Sequence, residues 1–256
     1  MSAEADFEHH HATWVEYTSS PWARIRYAVV RKSVTESLAR LGDGPWRILD
    51  VGGGDALDSL PLAAAGHDVT VLDPSASMLS GARARAAAAG LEVHLIEGGI
   101  EQLPGLGAFD LVLCHFVLQY RADLGSDLAA LMGAARSGGL VSVIAPNPAS
   151  AVLTRLLREG PAEALAELGR DTARTVTFDT EVAKLDVGTV ETHLTSLGCK
   201  VVGRYGGRVA NDLVTDDALK HQPGYYADLE RLELALCDRE PFWRIGAFWQ
   251  LVARTP

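Results

Sequence analysis

The stretch ILDVGGGDALDSLPLAAAGHDVTVLD, residues 48–73, decides the reading of the chain. A short apolar run leads into three consecutive glycines, Gly52, Gly53 and Gly54. An amphipathic segment follows, and a second apolar run, residues 69–72, ends in Asp73. That order is a strand, a tight turn, a helix and a second strand with an acid at its tip, the start of a parallel α/β sheet whose ligands sit at the carboxyl ends of the strands.

Working outward, the same alternation continues. WRILDV (46–51) is too uniformly apolar to face water and reads as a buried strand. A helix is expected over 55–65 and a second strand over 68–73. A helix over ASMLSGARARAAAA follows, closed by Gly90. Strands are expected at EVHLIE (92–97) and FDLVLCH (109–115). A helix then spans DLAALMGAARSGG, and LVSVIAP (140–146) is a fifth strand. Before the first strand, Ser20 suits an N-cap, Pro21 the first helical position, and Gly42 a stop. Residues 149–186 carry helical, charged sequence with no strand signal and read as an insertion. A helix at 187–197, a strand KVVGRYGGRV, a helix near 225–237 and a strand AFWQLVAR complete the sheet. The expected architecture is α/β, a seven-stranded mixed sheet with helices on both faces in one domain over 1–256. Its parts are an N-terminal helical lid (1–45), a ligand-binding half (46–148), a helical cap insertion (149–186) and a C-terminal completion (187–256).

Bulk properties narrow the function. The chain has 256 residues, enough for one sizeable core, and a net charge of -10, which opposes non-specific attachment to polyphosphate. No apolar run approaches the roughly 20 residues of a membrane span. The start, MSAEADFEHHHATW, lacks the positive and apolar regions of a secretory signal. Cys114, Cys199 and Cys237 have no metal-ligand spacing and suit reduced cytoplasmic thiols. The triplet His9, His10 and His11 cannot share a helix face and has no partner at ligand spacing, so no metal is expected.

The glycine turn is not that of a dehydrogenase. Gly52 and Gly54 fit the first two positions of that fingerprint, but Leu57 stands where the third glycine belongs. Asp50 lies two residues before Gly52, where a carboxylate works against a pyrophosphate. A nucleoside ligand with a cationic amino group and no phosphate fits better, and S-adenosylmethionine is such a ligand.

LDVGGGDA, VLDPSASML, GGIEQLP and FDLVLCHFVLQY, in this order, resemble successive motifs of the class I S-adenosylmethionine-dependent methyltransferases, over roughly residues 46–145. The resemblance implies that fold, that cofactor and S-adenosylhomocysteine as product. It implies that the backbone of Gly52, Gly53 and Gly54, beside Asp50, passes close to the cofactor. Asp73 and Pro74 would take the ribose, and Met78, Gly99 and Ile100 the adenine. Gly99 departs from the commoner aspartate at that position, which points to backbone contacts there.

His115 ends the fourth strand. It is open between a catalytic general base, a cofactor contact and a satisfied polar residue. The leading segment with Arg26, CHFVLQY, YGGRVANDL and LELALCDREPFWRIGAFWQLVAR are together similar to the tRNA 5-carboxymethoxyuridine methyltransferases, which implies that Arg26 reaches the cofactor's carboxylate.

The substrate-facing segments depart from that narrower likeness. Residues 150–184 hold five basic and six acidic side chains, and residues 209–243 three basic and eight acidic. A tRNA-binding mouth concentrates positive charge. The expectation is therefore a small-molecule acceptor, methylated on oxygen (a carboxylate included) or nitrogen. Wobble-uridine modification and a non-catalytic cofactor-binding subunit are the alternatives. Arg174, Arg204 and Arg208 are candidate anchors for an anionic acceptor, against the reading of solvated surface arginines. Trp243 and Trp249 read as core.

Overall fold

The computed structural model describes residues 17–175 and 180–256. Helix α1 (Pro21–Ala39) begins where expected: Ser20 accepts the Ala23 amide and Pro21 occupies the first turn. β1 (Arg47–Val51), β2 (Asp68–Asp73), β3 (His94–Glu97), β4 (Phe109–His115) and β5 (Ala135–Pro146) are parallel neighbours in the order β3-β2-β1-β4-β5. β9 (Phe248–Arg254) lies antiparallel between β5 and β8 (Lys200–Gly207), giving seven strands.

Alternation along each strand feeds two cores. Leu49, Val112, Val143 and Leu251 face α4 (Leu124–Ala134) and α7 (Val187–Ser196). Ile48, Leu111, Ile144 and Val252 face α1, α2 (Leu60–Ala64) and α3 (Ala76–Ala89). Both faces are covered, which is why the strands read as near-continuous apolar runs. Ile25, Val29, Val30, Val34 and Leu38 are all buried, so α1 is a packed layer of the fold.

Three expectations need correction. The helix after the glycine turn does not start at residue 55, because Ala56 sits at φ 65°, a left-handed conformation that no helix admits. α2 starts at Leu60, and Asp58 is left in a loop at the sheet's carboxyl edge. Second, α4 starts at Leu124, capped by the Asp123 carboxylate on the Ser126 amide, and gives way to strand at Ala135. Third, the insertion is not purely helical. After α5 (Pro148–Glu159) and α6 (Pro161–Leu168), β6 (Thr172–Arg174) pairs antiparallel with β7 (Glu181–Ala183), placing Arg174 opposite Glu181. Strands of three residues are too short to show alternation.

α8 (Asp217–Lys220) and α9 (Pro223–Leu236) precede β9, and α9 packs on α1. Trp243 and Trp249 are buried core, and the Trp249 indole donates to the Leu185 carbonyl at 3.0 Å. Cys114, Cys199 and Cys237 are free and buried. No helix among the described residues is long and apolar enough to cross a membrane.

Candidate active site

The site is built at the carboxyl ends of β1, β2 and β4. Leaving β1, the chain reverses through Gly52 and Gly54 at φ 66° and 55°, a conformation that glycine adopts without strain. The Gly52 amide donates to the Leu72 carbonyl at 2.7 Å, tying the turn to β2. A Cβ on Gly53 would come within 2.6 Å of the Asp50 carboxylate and 2.8 Å of Val71, and one on Gly54 within 2.8 Å of the Met78 methyl. Side chains are thus excluded along the whole turn, leaving bare backbone facing the strand ends.

Asp73 stands at the tip of β2. Its two oxygens accept the Gly54 amide at 2.8 Å and the Ser75 amide at 2.9 Å, so one carboxylate fixes the turn and the start of α3 together. Burial raises its pKa, against the pull of those two amides. Ser75 caps α3 by accepting the Met78 amide, which sets Met78 under Gly54, while Pro74 is exposed beside it. The Gly98 amide donates to the Asp73 carbonyl, bringing Gly99 to the same rim, whereas the Ile100 side chain turns into the core.

Asp50 is nearly inaccessible, and its Oδ2 has no hydrogen-bond partner among the described residues. Burial, reinforced by the negative charge of Asp58, pushes it up to about 7. In the unfolded chain it releases its proton near pH 4, so folded stability falls as pH rises from about 4 to about 7. Asp50→Asn removes that penalty. Its melting temperature should exceed the parent's by more at about pH 8 than at about pH 4; a gain independent of pH would refute the assignment.

Arg26, reaching in from α1, meets Asp58 through two parallel bonds, Nη1 to Oδ1 at 2.6 Å and Nη2 to Oδ2 at 2.7 Å. The Phe116 ring lies 5.1 Å from the guanidinium, and Phe116 itself is held at φ 59°. His115 Nδ1 contacts Asp58 Oδ2 at 2.8 Å and Nε2 contacts Ser142 Oγ at 2.8 Å. Burial lowers the pKa of His115 despite Asp58. For Asp58, burial alone would raise the pKa, but Arg26 and the His115 hydrogen bond outweigh it and hold it at about 2. Both ring nitrogens of His115 are thus engaged inside the protein. Asp58, which joins Arg26 to His115, is the residue that reading the sequence missed.

Arg174 and Arg208, 34 positions apart in the sequence, line one cavity of about 930 Å³ between the insertion and the end of β5 at Pro146 and Asn147. Arg208, at φ 58°, binds Asp212 through Nε at 2.9 Å and Nη2 at 2.8 Å. The loop behind it is fixed by the buried Glu233 carboxylate, which accepts the amides of Val209, Ala210 and Asn211. Arg155 and Arg170 also line the cavity, matched by Glu159, Glu167 and Glu181. Arg204 is not part of it and pairs with Glu191. The His9–His11 triplet lies outside the described residues, among which no cluster could hold a metal ion.

The cradle fits S-adenosylmethionine. Gly52 to Gly54 present bare backbone at the strand ends, packed against Val117, Asp50, Val71 and Met78. Asp73 offers a carboxylate at the rim, and the orphaned Asp50 oxygen suits a cationic amino group.

Comparison with known proteins agrees. Residues 48–139 match the methyltransferase-domain family. The chain is 28% identical to the tRNA 5-carboxymethoxyuridine methyltransferase of Escherichia coli K12, over 91% of this chain and 89% of that protein. It is 35% identical to the ubiquinone biosynthesis O-methyltransferase of Caulobacter sp. K31, over 57% of each chain. Among solved structures, a possible histamine N-methyltransferase from Thermotoga maritima aligns over the whole of both chains, with TM-score 0.63 and 16% identity. The magnesium protoporphyrin IX methyltransferase of Synechocystis PCC 6803 with bound S-adenosylhomocysteine covers 92% of this chain and 86% of that one, with TM-score 0.60 and 17% identity. At such identities the solved structures speak to the fold, which is the class I fold read from the sequence. With that fold, the matched domain and a glycine cradle suited to the cofactor, the chain is an S-adenosylmethionine-dependent methyltransferase.

Proposed function

We propose that the enzyme methylates an oxygen, a carboxylate foremost, or a nitrogen of a small anionic acceptor seated in the cavity that Arg174 and Arg208 line. The cavity itself carries the proposal. Its volume, about 930 Å³, is that of a small-molecule site, and its four arginines are balanced by Glu159, Glu167, Glu181 and Asp212. A balanced pocket supports recognition of one placed anionic group over attraction of a polyanion.

In this reading Asp73 accepts the ribose hydroxyls, with Pro74 beside it. The backbone of Gly52, Gly53 and Gly54 runs along the cofactor, and Met78, Gly99 and Ile100 border the adenine. Asp50 faces the amino group, and Arg26 lies toward the methionine carboxylate, its guanidinium shared with Asp58 and His115 behind that pair. When bound, the cofactor supplies a methyl group on a sulfonium, open to in-line displacement. The protein's contribution is then placement of the acceptor atom. A carboxylate, with a pKa of about 4, is already ionised at neutral pH and needs no base, which suits a His115 without a free ring nitrogen.

A second reading, a wobble-uridine carboxylate in tRNA, is favoured by the 28% identity that extends over 91% of the chain. Methyl-labelled cofactor, added with the enzyme to cell extract split into tRNA and metabolite pools, separates the two. Label confined to metabolites supports the proposal, and release by mild base marks an ester. Base-labile label in tRNA overturns it. Label in neither pool, with cofactor bound, points to a non-catalytic subunit. Once the acceptor is in hand, Arg208→Gln should raise its KM about tenfold, with cofactor affinity unchanged; an unchanged KM removes Arg208 from the acceptor site.

A further inference from the structure

Among the buried polar side chains on the face that the sheet turns toward α1 are Asp50, His115, Ser142 and Gln250. Ser142 on β5 and Gln250 on β9 have no solvent exposure, and neither belongs to a cofactor motif. Gln250 Nε2 contacts Ser142 Oγ at 2.9 Å, and Gln250 Oε1 contacts Ser33 Oγ at 2.6 Å. Ser33 lies on α1, seven residues after Arg26 and so on the same helix face. The hydrogen bonds from Arg26 through Asp58, His115, Ser142 and Gln250 to Ser33 thus form a circuit that leaves α1 and returns to it.

Donor chemistry gives the circuit a direction. Ser33 Oγ has two acceptors in reach, Gln250 Oε1 at 2.6 Å and the Val30 carbonyl at 2.9 Å, and its one hydrogen goes to the nearer. The amide oxygen is accordingly assigned toward Ser33 and the amide nitrogen toward Ser142, at 2.9 Å. That nitrogen can only donate, so the Ser142 oxygen accepts from it and sends its single hydrogen to His115 Nε2. Nε2 then bears no proton. The ring proton sits on Nδ1, which donates to Asp58 Oδ2. We propose that Ser142 and Gln250 are positioning residues of the cofactor site: Gln250 donates to Ser142 and Ser142 into Nε2, which holds His115 neutral in its Nδ1–H form and leaves Asp58 to fix Arg26.

The charged and titratable groups that act on the Arg26–Asp58–His115 centre are Tyr17, Arg26 and Tyr27 from the α1 side, Asp55 and Asp58 from the glycine loop, and Asp50 and Asp73 from the strand tips. Tyr205 and Cys237, with Lys32 and Glu36, lie farther along the same face. β5 and β9 contribute only the neutral Ser142 and Gln250 to the circuit. Burial lowers the pKa of His115, in the same direction as the hydrogen-bond argument. An imidazolium would instead compete with Arg26 for Asp58 and loosen the anchor of α1.

The test reads the ring directly, by long-range proton–nitrogen NMR of the 15N-labelled full chain. His115 is picked out of the eight histidines by the signal that His115→Gln loses. The parent should show a proton on Nδ1 alone, unchanged from about pH 6 to about pH 8. Its affinity for S-adenosylhomocysteine follows Asp50, which titrates in that window, and is the baseline for the variants. Gln250→Met keeps the bulk and removes the donor. Ser142 can then accept from Nε2, and His115 should titrate within that window. The dissociation constant for S-adenosylhomocysteine, taken as a ratio to the parent's at each pH, should change by about threefold or more across it. Ser142→Ala should likewise make the profile depart from the parent's.

A proton on Nε2 in the parent overturns the proposal. So does a folded Gln250→Met with an unaltered ring spectrum and the parent's affinity profile. If neither variant folds, the parent spectrum decides. The affinity readout rests on reading this as the cofactor site. A parent that binds no S-adenosylhomocysteine would bring down that reading, while the ring spectrum still locates the proton.

Discussion

Arg26→Met should destabilise the fold by about 3–5 kcal/mol at about pH 8, the cost of stranding one partner of a buried ion pair. Arg26 and Asp58 are both nearly inaccessible, and the guanidinium supplies two of the three contacts on the Asp58 carboxylate. In the variant, His115 is the remaining side chain able to bring Asp58 a positive charge. Gaining that role raises the folded-state pKa of His115 above its unfolded value of about 6.5, so the compensation is present at low pH and is lost as pH rises through the folded value. The deficit should therefore shrink toward about pH 6. Chemical denaturation at the two pH values checks this, and a deficit under about 1 kcal/mol at both would show that Asp58 does not depend on Arg26.

Asp73→Asn should weaken cofactor binding about a hundredfold, close to 3 kcal/mol, the scale of hydrogen bonds made to a charged acceptor. The substitution keeps the shape but replaces one acceptor oxygen by a donor. In the protein alone both oxygens already serve backbone amides, of Gly54 and Ser75, so the amide group must face one N–H with another. A loss of about 1–2 kcal/mol in stability should accompany the loss of affinity. Calorimetry with S-adenosylhomocysteine, beside a thermal melt, separates the two effects. Unchanged affinity would remove Asp73 from the ribose site, whatever happens to the melt.

What could be read from residues 48–73 was whatever rests on local pattern. Apolar runs of strand length, a glycine triplet and Asp73 at a strand tip each carry their own signal, and the alternation of strands with helices carries the parallel part of the sheet. Asp58 carried none. In GDALDSLP it is spaced like a helical residue, and only the left-handed Ala56, which alanine does not advertise, puts it in a loop facing Arg26. Ser142 and Gln250 are single polar letters inside LVSVIAP and AFWQLVAR; their meaning lies in pairing across the sheet with residues of distant sequence number. Arg174 and Arg208 were nominated singly for their chemistry. That one cavity holds both follows from the β6–β7 hairpin, whose strands of three residues are invisible to periodicity.

The place of β9 bears on how the chain is made. It is the last strand in sequence, yet it lies inside the sheet, between β5 and β8. A nascent chain that has emerged only as far as residue 247 has the whole glycine cradle and a completed β5, but the long edge of β5 is still open. An open, apolar edge can pair with any extended segment nearby, including the same strand of a neighbouring nascent chain. The short helical turns and α9 just ahead of β9 lengthen that exposed interval. On a crowded polysome, the moments before residues 248–254 arrive are when the growing sheet is most open to such pairing, although its cofactor half has by then been fully synthesised.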